Sequence, residues 1–226
     1  MAGQVQVVVF DVNETLSDMT PLRERFTSAG APGTLLETWF AGTLRDGFAL
    51  AAAGTAATFP QVAAGAMRSV LALEPQLSQP IDDIVASVLA GFQALSLHPD
   101  VADGIRQLAD AGLRLVTLTN GSAALAAKLF DAAGISELVE QRLSVDDAGR
   151  WKPHPQSYAY AAQQCGIPLE AMCMVAVHPW DIEGAKRAGM FSAWLDRSGV
   201  PYPEAFLPPD VTGPNLPAVA RAVLAL

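Results

Sequence analysis

VVVFDVNETL, residues 7–16, decides how the rest of the chain is read. Three β-branched valines and a phenylalanine run straight into Asp11. A short, apolar, β-branched run is the mark of a buried strand, and the run extends back through QVQVVVF to residue 4. Asp11 then stands at the strand tip, partly desolvated, where a nearby cation would keep it ionised and aimed. Lys152 is the obvious candidate. A capping aspartate at a strand–loop junction is the alternative reading of the same residue.

Working outward, residues 16–96 read as helical, in Ala/Leu-rich pieces separated by Gly30 and Gly33, Gly54, Pro60 and the 74–80 stretch, with no convincing strand. The uncharged part of this region is read as two buried helical pieces broken at Pro60, not as a membrane span. From Pro99 the rhythm alternates. Helices are expected over 101–111, 122–133, within 153–166 and over 181–188. Strands are expected over 113–118, 171–177 and 190–195. Residues 199–217 are proline-rich and read as loop, and 218–226 as a last short helix. Strands alternating with helices predict an α/β fold, a parallel sheet with helices on both faces. The helical region interrupts it after the first strand. The expected domains are therefore a core of 1–15 with 97–226 and an inserted helical domain of 16–96.

Composition supports a folded, non-membrane chain. Of 226 residues, 51% are hydrophobic and 16% charged, which excludes disorder. Fourteen basic residues against 23 acidic ones give a net charge of −9, a poor basis for binding nucleic acid or an anionic membrane. The two cysteines, Cys165 and Cys173, show no zinc spacing and fit a reducing compartment. The N-terminus lacks the basic and apolar segments of a signal peptide, so a cytoplasmic location is expected.

In open parallel sheets, ligands bind beyond the carboxyl ends of the strands. Asp11, Asn13 and Thr15 follow the first strand. Thr119, Asn120, Gly121 and Ser122 follow the second and open a helix, where hydroxyl, amide and backbone N–H groups favour an anion. His178 and Asp181 follow the 171–177 strand, and Lys152 precedes a helix carrying Tyr158. Four segments thus deliver polar groups to one sheet edge. His178 could donate to a substrate carboxylate, act as a base, or fill a turn before Pro179.

These same residues carry a family resemblance. VVVFDVNETL resembles the first motif of the haloacid dehalogenase superfamily, LTNGS the second, WKPHPQSY the third and VAVHPWDIEGAKRAGM the fourth, in order. The helical insert stands where that family has its cap domain. The type II 2-haloacid dehalogenases are the most similar branch. That resemblance implies a Rossmann-like core and a carboxylate nucleophile, Asp11, displacing halide from a short 2-haloalkanoate. An aspartyl ester forms and water hydrolyses it, giving a 2-hydroxy acid of inverted configuration. It further implies that Lys152 holds Asp11 ionised, Asp181 orients Lys152, and Thr15 hydrogen-bonds Asp11. Thr119 and Asn120 would bind the substrate carboxylate, supported by Tyr158, with Asn13, His178, Trp39 and Phe40 lining the substrate. No cofactor and no metal are implied, and a homodimer through cap helices is compatible.

The departures are specific. Family phosphatases carry a second aspartate where this chain has Asn13, and a carboxylate near Ala176–His178 where it has none, which disfavours an Mg²⁺ phosphatase. Phe40 follows Trp39 where the dehalogenases have an arginine, and Arg45 lies too far along the helix to replace it. Ala176 and His178 stand for the family's serine and asparagine, and Glu14 for its glycine. A magnesium-dependent phosphatase and a non-catalytic binding protein of the same fold are the alternative readings.

Overall fold

The computed structural model describes residues 5–226. Its elements run β1 (Val7–Phe10), β2 (Ser17–Asp18), α1 (Arg23–Ser28), α2 (Leu35–Ala52), α3 (Phe59–Leu71) and α4 (Ile81–Gly91). There follow β3 (Ser96–Leu97), α5 (Val101–Asp110), β4 (Arg114–Thr119), α6 (Ala123–Ala132), β5 (Gln141–Ser144) and α7 (Val145–Ala148). The last six are α8 (Pro155–Cys165), β6 (Met172–Ala176), α9 (Pro179–Ala188), β7 (Phe191–Leu195), β8 (Val211–Gly213) and α10 (Leu216–Val223). The chain divides into two compact units, Met1–Ser17 with Ser96–Leu226, and Asp18–Leu95.

In the first unit, six strands form a sheet in the order β5-β4-β1-β6-β7-β8, every neighbouring pair parallel. β1 lies between β4 and β6, so all four of its residues are buried, which is why its sequence is unbroken apolar. Phe10 is in register with Thr117 and Val175, so the chain beyond β1 emerges beside the carboxyl ends of β4 and β6. That edge collects the chemistry-bearing residues.

The second unit is helical and built on aromatic packing. Trp39 is fully buried among Phe26, Phe40 and Phe92, with ring centroids 5.8–6.4 Å apart. Its indole N–H donates to Ala63 O at 2.8 Å, tying α2 to α3.

Gln4, expected to start the first strand, lies outside the described residues. Several other expectations need correction. Pro60 does not break a helix. The break lies at residues 53–58, and Pro60 sits in the first turn of α3 behind a Thr58–Gln61 capping box. There the missing proline N–H has no intrahelical partner to lose. The 16–96 region is not strand-free, because β2 pairs with β3. β5 went unpredicted, since Gln141 and Arg142 begin an edge strand with half-exposed polar residues. β8 arises inside the expected 199–217 loop, where only three residues join the far edge of the sheet.

Candidate active site

Asp11 leaves β1 with its backbone N–H still paired to Val175 O at 3.1 Å, so the carboxylate is fixed to the sheet. The side chain is buried, at 5% exposure. Lys152 Nζ donates to Asp11 Oδ1 at 3.0 Å and to Asp181 Oδ2 at 2.6 Å. Both the Lys152 and the Asp181 side chains are fully buried. Thr15 Oγ1 donates to Asp11 Oδ2 at 2.6 Å and accepts the Val177 N–H at 3.1 Å, joining the loop after β1 to the end of β6.

One ammonium between two buried carboxylates sets their acidities apart. Burial pushes the Asp11 carboxyl up, but Lys152, His178 and the Thr15 hydroxyl more than offset it and leave it below the usual carboxylate range. Burial also pushes Asp181 up, and there the Asp11 charge adds to burial, so its carboxyl ends above that range despite Lys152. Burial works against the Lys152 ammonium, yet the two carboxylates hold its pKa above the ordinary value. The outcome is an ionised carboxylate at the strand tip, beside a lysine that keeps its proton.

The supporting residues come from the predicted segments. Tyr158, on α8, is fully buried and donates its hydroxyl to Asp181 Oδ1 at 2.7 Å. Gly184 makes this possible, since a Cβ there would meet the Tyr158 hydroxyl and come within 2.7 Å of Pro153 Cβ. The Asn120 amide grips the Lys152 backbone at two points, accepting its N–H at 2.8 Å and donating to its carbonyl at 3.1 Å. Asn120 therefore sets the lysine in place. Thr119 Oγ1 accepts the Gly121 N–H at 2.9 Å, closing the turn after β4. Asn13 is buried beside that turn, and a Cβ on Gly121 would press to 3.2 Å from its amide nitrogen. His178 Nε2 lies 3.5 Å from Asp11 Oδ2, 3.3 Å from Asn13 O and 3.7 Å from Glu14 Oε2, and its ring stacks on Trp180 at 4.9 Å.

Asp11, Thr15, Lys152 and Asp181 thus converge, with His178 and Tyr158 in contact with them. Trp39 and Phe40 belong to the helical unit's own aromatic core. Trp39 exposes no surface, and its ring packs within that core. The position between the two carboxylates is filled by the lysine ammonium. Among the described residues, no group of three or more His, Cys, Asp or Glu side chains is arranged to hold a metal ion. No described helix is long and apolar enough to cross a membrane.

The sequence reading missed two residues that touch the loop after β1, His98 and Arg197, and gave no structural role to Glu14 within it. Glu14 is the only non-glycine residue with positive φ, at 61°, among those described. Its place in the first motif, at the position where the resembled pattern has glycine, was the available signal. Arg197 sits two residues beyond β7, at the strand-end position used to find the others.

A family model for haloacid dehalogenase-like hydrolases matches residues 5–189. The chain belongs to this family. Over 132 residues this haloacid dehalogenase-like hydrolase is 33% identical to haloacetate dehalogenase H-2 of Moraxella sp. (strain B). That match covers 58% of this chain and 59% of the relative, little more than half of either. Over 206 residues, covering 90% of both chains, it is 25% identical to (S)-2-haloacid dehalogenase 1 of Pseudomonas sp. (strain CBS-3). Its fold is similar to that of the L-2-haloacid dehalogenase of Xanthobacter autotrophicus. The TM-score is 0.83 and the identity 25%, with 97% of this chain and 98% of that one covered. Another structure of that enzyme holds chloropropionic acid covalently bound.

Proposed function

We propose that this hydrolase cleaves the carbon–halogen bond of short 2-haloalkanoic acids, giving 2-hydroxy acids through an ester on Asp11. The carrying observation is the Asp11 carboxylate itself, buried, held below the usual carboxylate range and bracketed by Lys152 and Thr15. A carboxylate kept ionised with its hydration stripped away is a competent nucleophile. It attacks C2 in line with the departing halide. The C2–oxygen bond forms as the C2–halogen bond breaks, and the halide leaves with the bonding pair. Water then adds to the ester carbonyl and the carbonyl carbon–oxygen bond to the hydroxy acid breaks; one water proton goes to the departing oxygen, the other to solvent, and Asp11 is restored as a carboxylate with one oxygen from water.

Each neighbour has a distinct task in this reading. Lys152 holds Asp11 ionised and draws charge from its carbonyl oxygen during ester hydrolysis. Asp181 and Tyr158 aim Lys152, and Asn120 fixes its backbone. Thr15 orients the carboxylate. Thr119, Asn13 and His178 stand on the substrate side of the turn and loop, with His178 offering an N–H toward an anionic group. Two free, buried cysteines fit a cytoplasmic enzyme.

The test is halide release from chloro- and bromo-substituted 2-haloacids of both configurations, in the presence of a chelator. The wild type is expected to release halide, and Asp11→Asn to be slower by roughly a thousandfold or more. Release from no haloacid, together with Mg²⁺-dependent hydrolysis of phosphate esters, would replace this reading with phosphatase chemistry.

A further inference from the structure

Three consecutive carbonyls in the loop after β1 each meet a nitrogen side chain from a different segment. His178 Nε2 lies 3.3 Å from Asn13 O, and His98 Nε2 lies 3.2 Å from Glu14 O. Arg197 Nε donates to Thr15 O at 3.0 Å. Arg197 alone brings a guanidinium, whose charge-assisted bond is stronger than that of a neutral ring.

The guanidinium is itself fixed. Its Nη1 donates to Asp100 Oδ1 at 2.9 Å, and Asp100 Oδ2 accepts the Leu216 N–H at 2.7 Å. Burial pushes the Asp100 carboxyl up, but the Leu216 amide and Arg197 bring it below its ordinary value, so the anchor stays ionised. Arg197 is placed by the end of β7, where its own N–H turns back to Leu195 O at 3.1 Å. An anchor built on α5, α10 and β7 therefore reaches the loop that carries the nucleophile.

Thr15 is held at both ends. Arg197 takes its carbonyl, while its hydroxyl lies between the Val177 N–H and Asp11 Oδ2. The residue before it, Glu14, is in the left-handed region, where a residue with a Cβ is strained and must be held by its surroundings.

We propose that Arg197 is a positioning residue for Asp11: by gripping the Thr15 carbonyl, it keeps the Thr15 hydroxyl on the nucleophile. Its kinetic consequence rests on the dehalogenase reading above, but its effect on the Asp11 carboxyl does not. Without the grip, Thr15 rotates away, Asp11 loses a donor and a fixed orientation, and its carboxyl moves up. Lys152, Asp181, His178 and Glu14, the charged or titratable groups around Asp11, are left unaltered.

Two measurements on Arg197→Ala and Arg197→Lys test this. The first is titration of Asp11 by carbon NMR of aspartate-labelled protein, assigned with Asp11→Asn. The second is single-turnover halide release, with and without added guanidinium. Arg197→Ala is expected to raise the Asp11 midpoint and slow release about thirtyfold, with KM within about twofold. Guanidinium should restore part of the rate, and Arg197→Lys should fall between, because an ammonium cannot bridge Thr15 and Asp100 as a fork does. A folded Arg197→Ala with an unmoved Asp11 midpoint and unchanged release overturns the proposal. Should Arg197→Ala not fold, the same two results in Arg197→Lys decide. If the wild type releases no halide, the dehalogenase reading falls separately, and an unmoved Asp11 midpoint still overturns the role of Arg197.

Discussion

The two compact units bury opposite kinds of side chain. Among the described residues, Thr43 is the one buried polar side chain of the helical unit, and its hydroxyl is spent on its own helix, at Trp39 O. The α/β unit buries Asp11, Lys152, Asp181, His178 and a ring of hydroxyls and amides around them. Both units carry exposed ion pairs, but the fully buried ones lie in the α/β unit. Arg45–Asp46 and Arg68–Asp82 lie exposed on the helical unit, where such pairs contribute little. Lys152 makes both of its pairs in the interior. Backbone strain differs too: among the described residues positive φ falls on glycines in both units, and on a residue with a side chain only at Glu14, beside Asp11. Electrostatic and conformational costs are thus concentrated at one sheet edge. Substitutions in one unit should act through charge, and in the other through volume.

Lys152→Met is the most severe way to sharpen this contrast, because it keeps length and removes the one cation between two buried carboxylates. Halide release should fall by about a thousandfold, and stability at neutral pH by about 3–5 kcal/mol. The sign with pH is diagnostic. Asp11, held below its ordinary range, contributes stability that is present above the unfolded value and lost as pH falls through the folded one. Asp181, held above that range, contributes stability present below the unfolded value and lost as pH rises through the folded one. Without Lys152 both carboxyls move up, so the deficit of the variant should shrink on acidification. Denaturant unfolding at neutral and mildly acidic pH reads it. A deficit indifferent to pH would mean that the lysine matters for its volume alone.

The same contrast explains what was legible in the sequence. β1, β4, β6 and β7 are buried runs whose apolar composition follows from having neighbours on both sides. β5 and β8, at the two edges, lack that constraint, and QRLS and VTG carry no strand signal strong enough to stand alone. At the site, Asp11, Thr15, Lys152 and Asp181 were legible because strand-end placement and four ordered motifs coincide on them. Arg197 and His98 were not, because they act on backbone carbonyls, and every residue has a carbonyl. The packing of Trp39 was not legible for a related reason. An aromatic side chain looks the same in sequence whether it faces a ligand or the core of its own unit.

Trp39→Phe tests the other side of the comparison. It removes the indole N–H from Ala63 O and part of the ring that Phe26 and Phe92 pack against. A loss of about 1.5 kcal/mol is expected, with no dependence on pH in the carboxylate range. Halide release by the folded variant should stay within about twofold of wild type, measured at a temperature where both are fully folded. A collapse in rate at unchanged stability would break the division between a unit that packs and a unit that reacts.

Glu14→Gly carries the smallest effect and an opposite sign. At φ 61° the Glu14 Cβ crowds the backbone, at a cost of roughly 1–2 kcal/mol that glycine avoids. Glycine also widens the unfolded ensemble, which offsets about 0.5–1 kcal/mol of that relief. The Glu14 carboxylate, partly exposed and 3.7 Å from His178 Nε2, adds little in the folded state. The net expectation is a gain of about 0.5 kcal/mol, read as a rise in the denaturant midpoint at unchanged slope. A fall instead would show that the Glu14 side chain stabilises the loop by more than its backbone strains it. The contact with His178 would then belong to the held structure of the loop after β1, making that strain a retained feature of the α/β unit with no counterpart at Gly30 or Gly54.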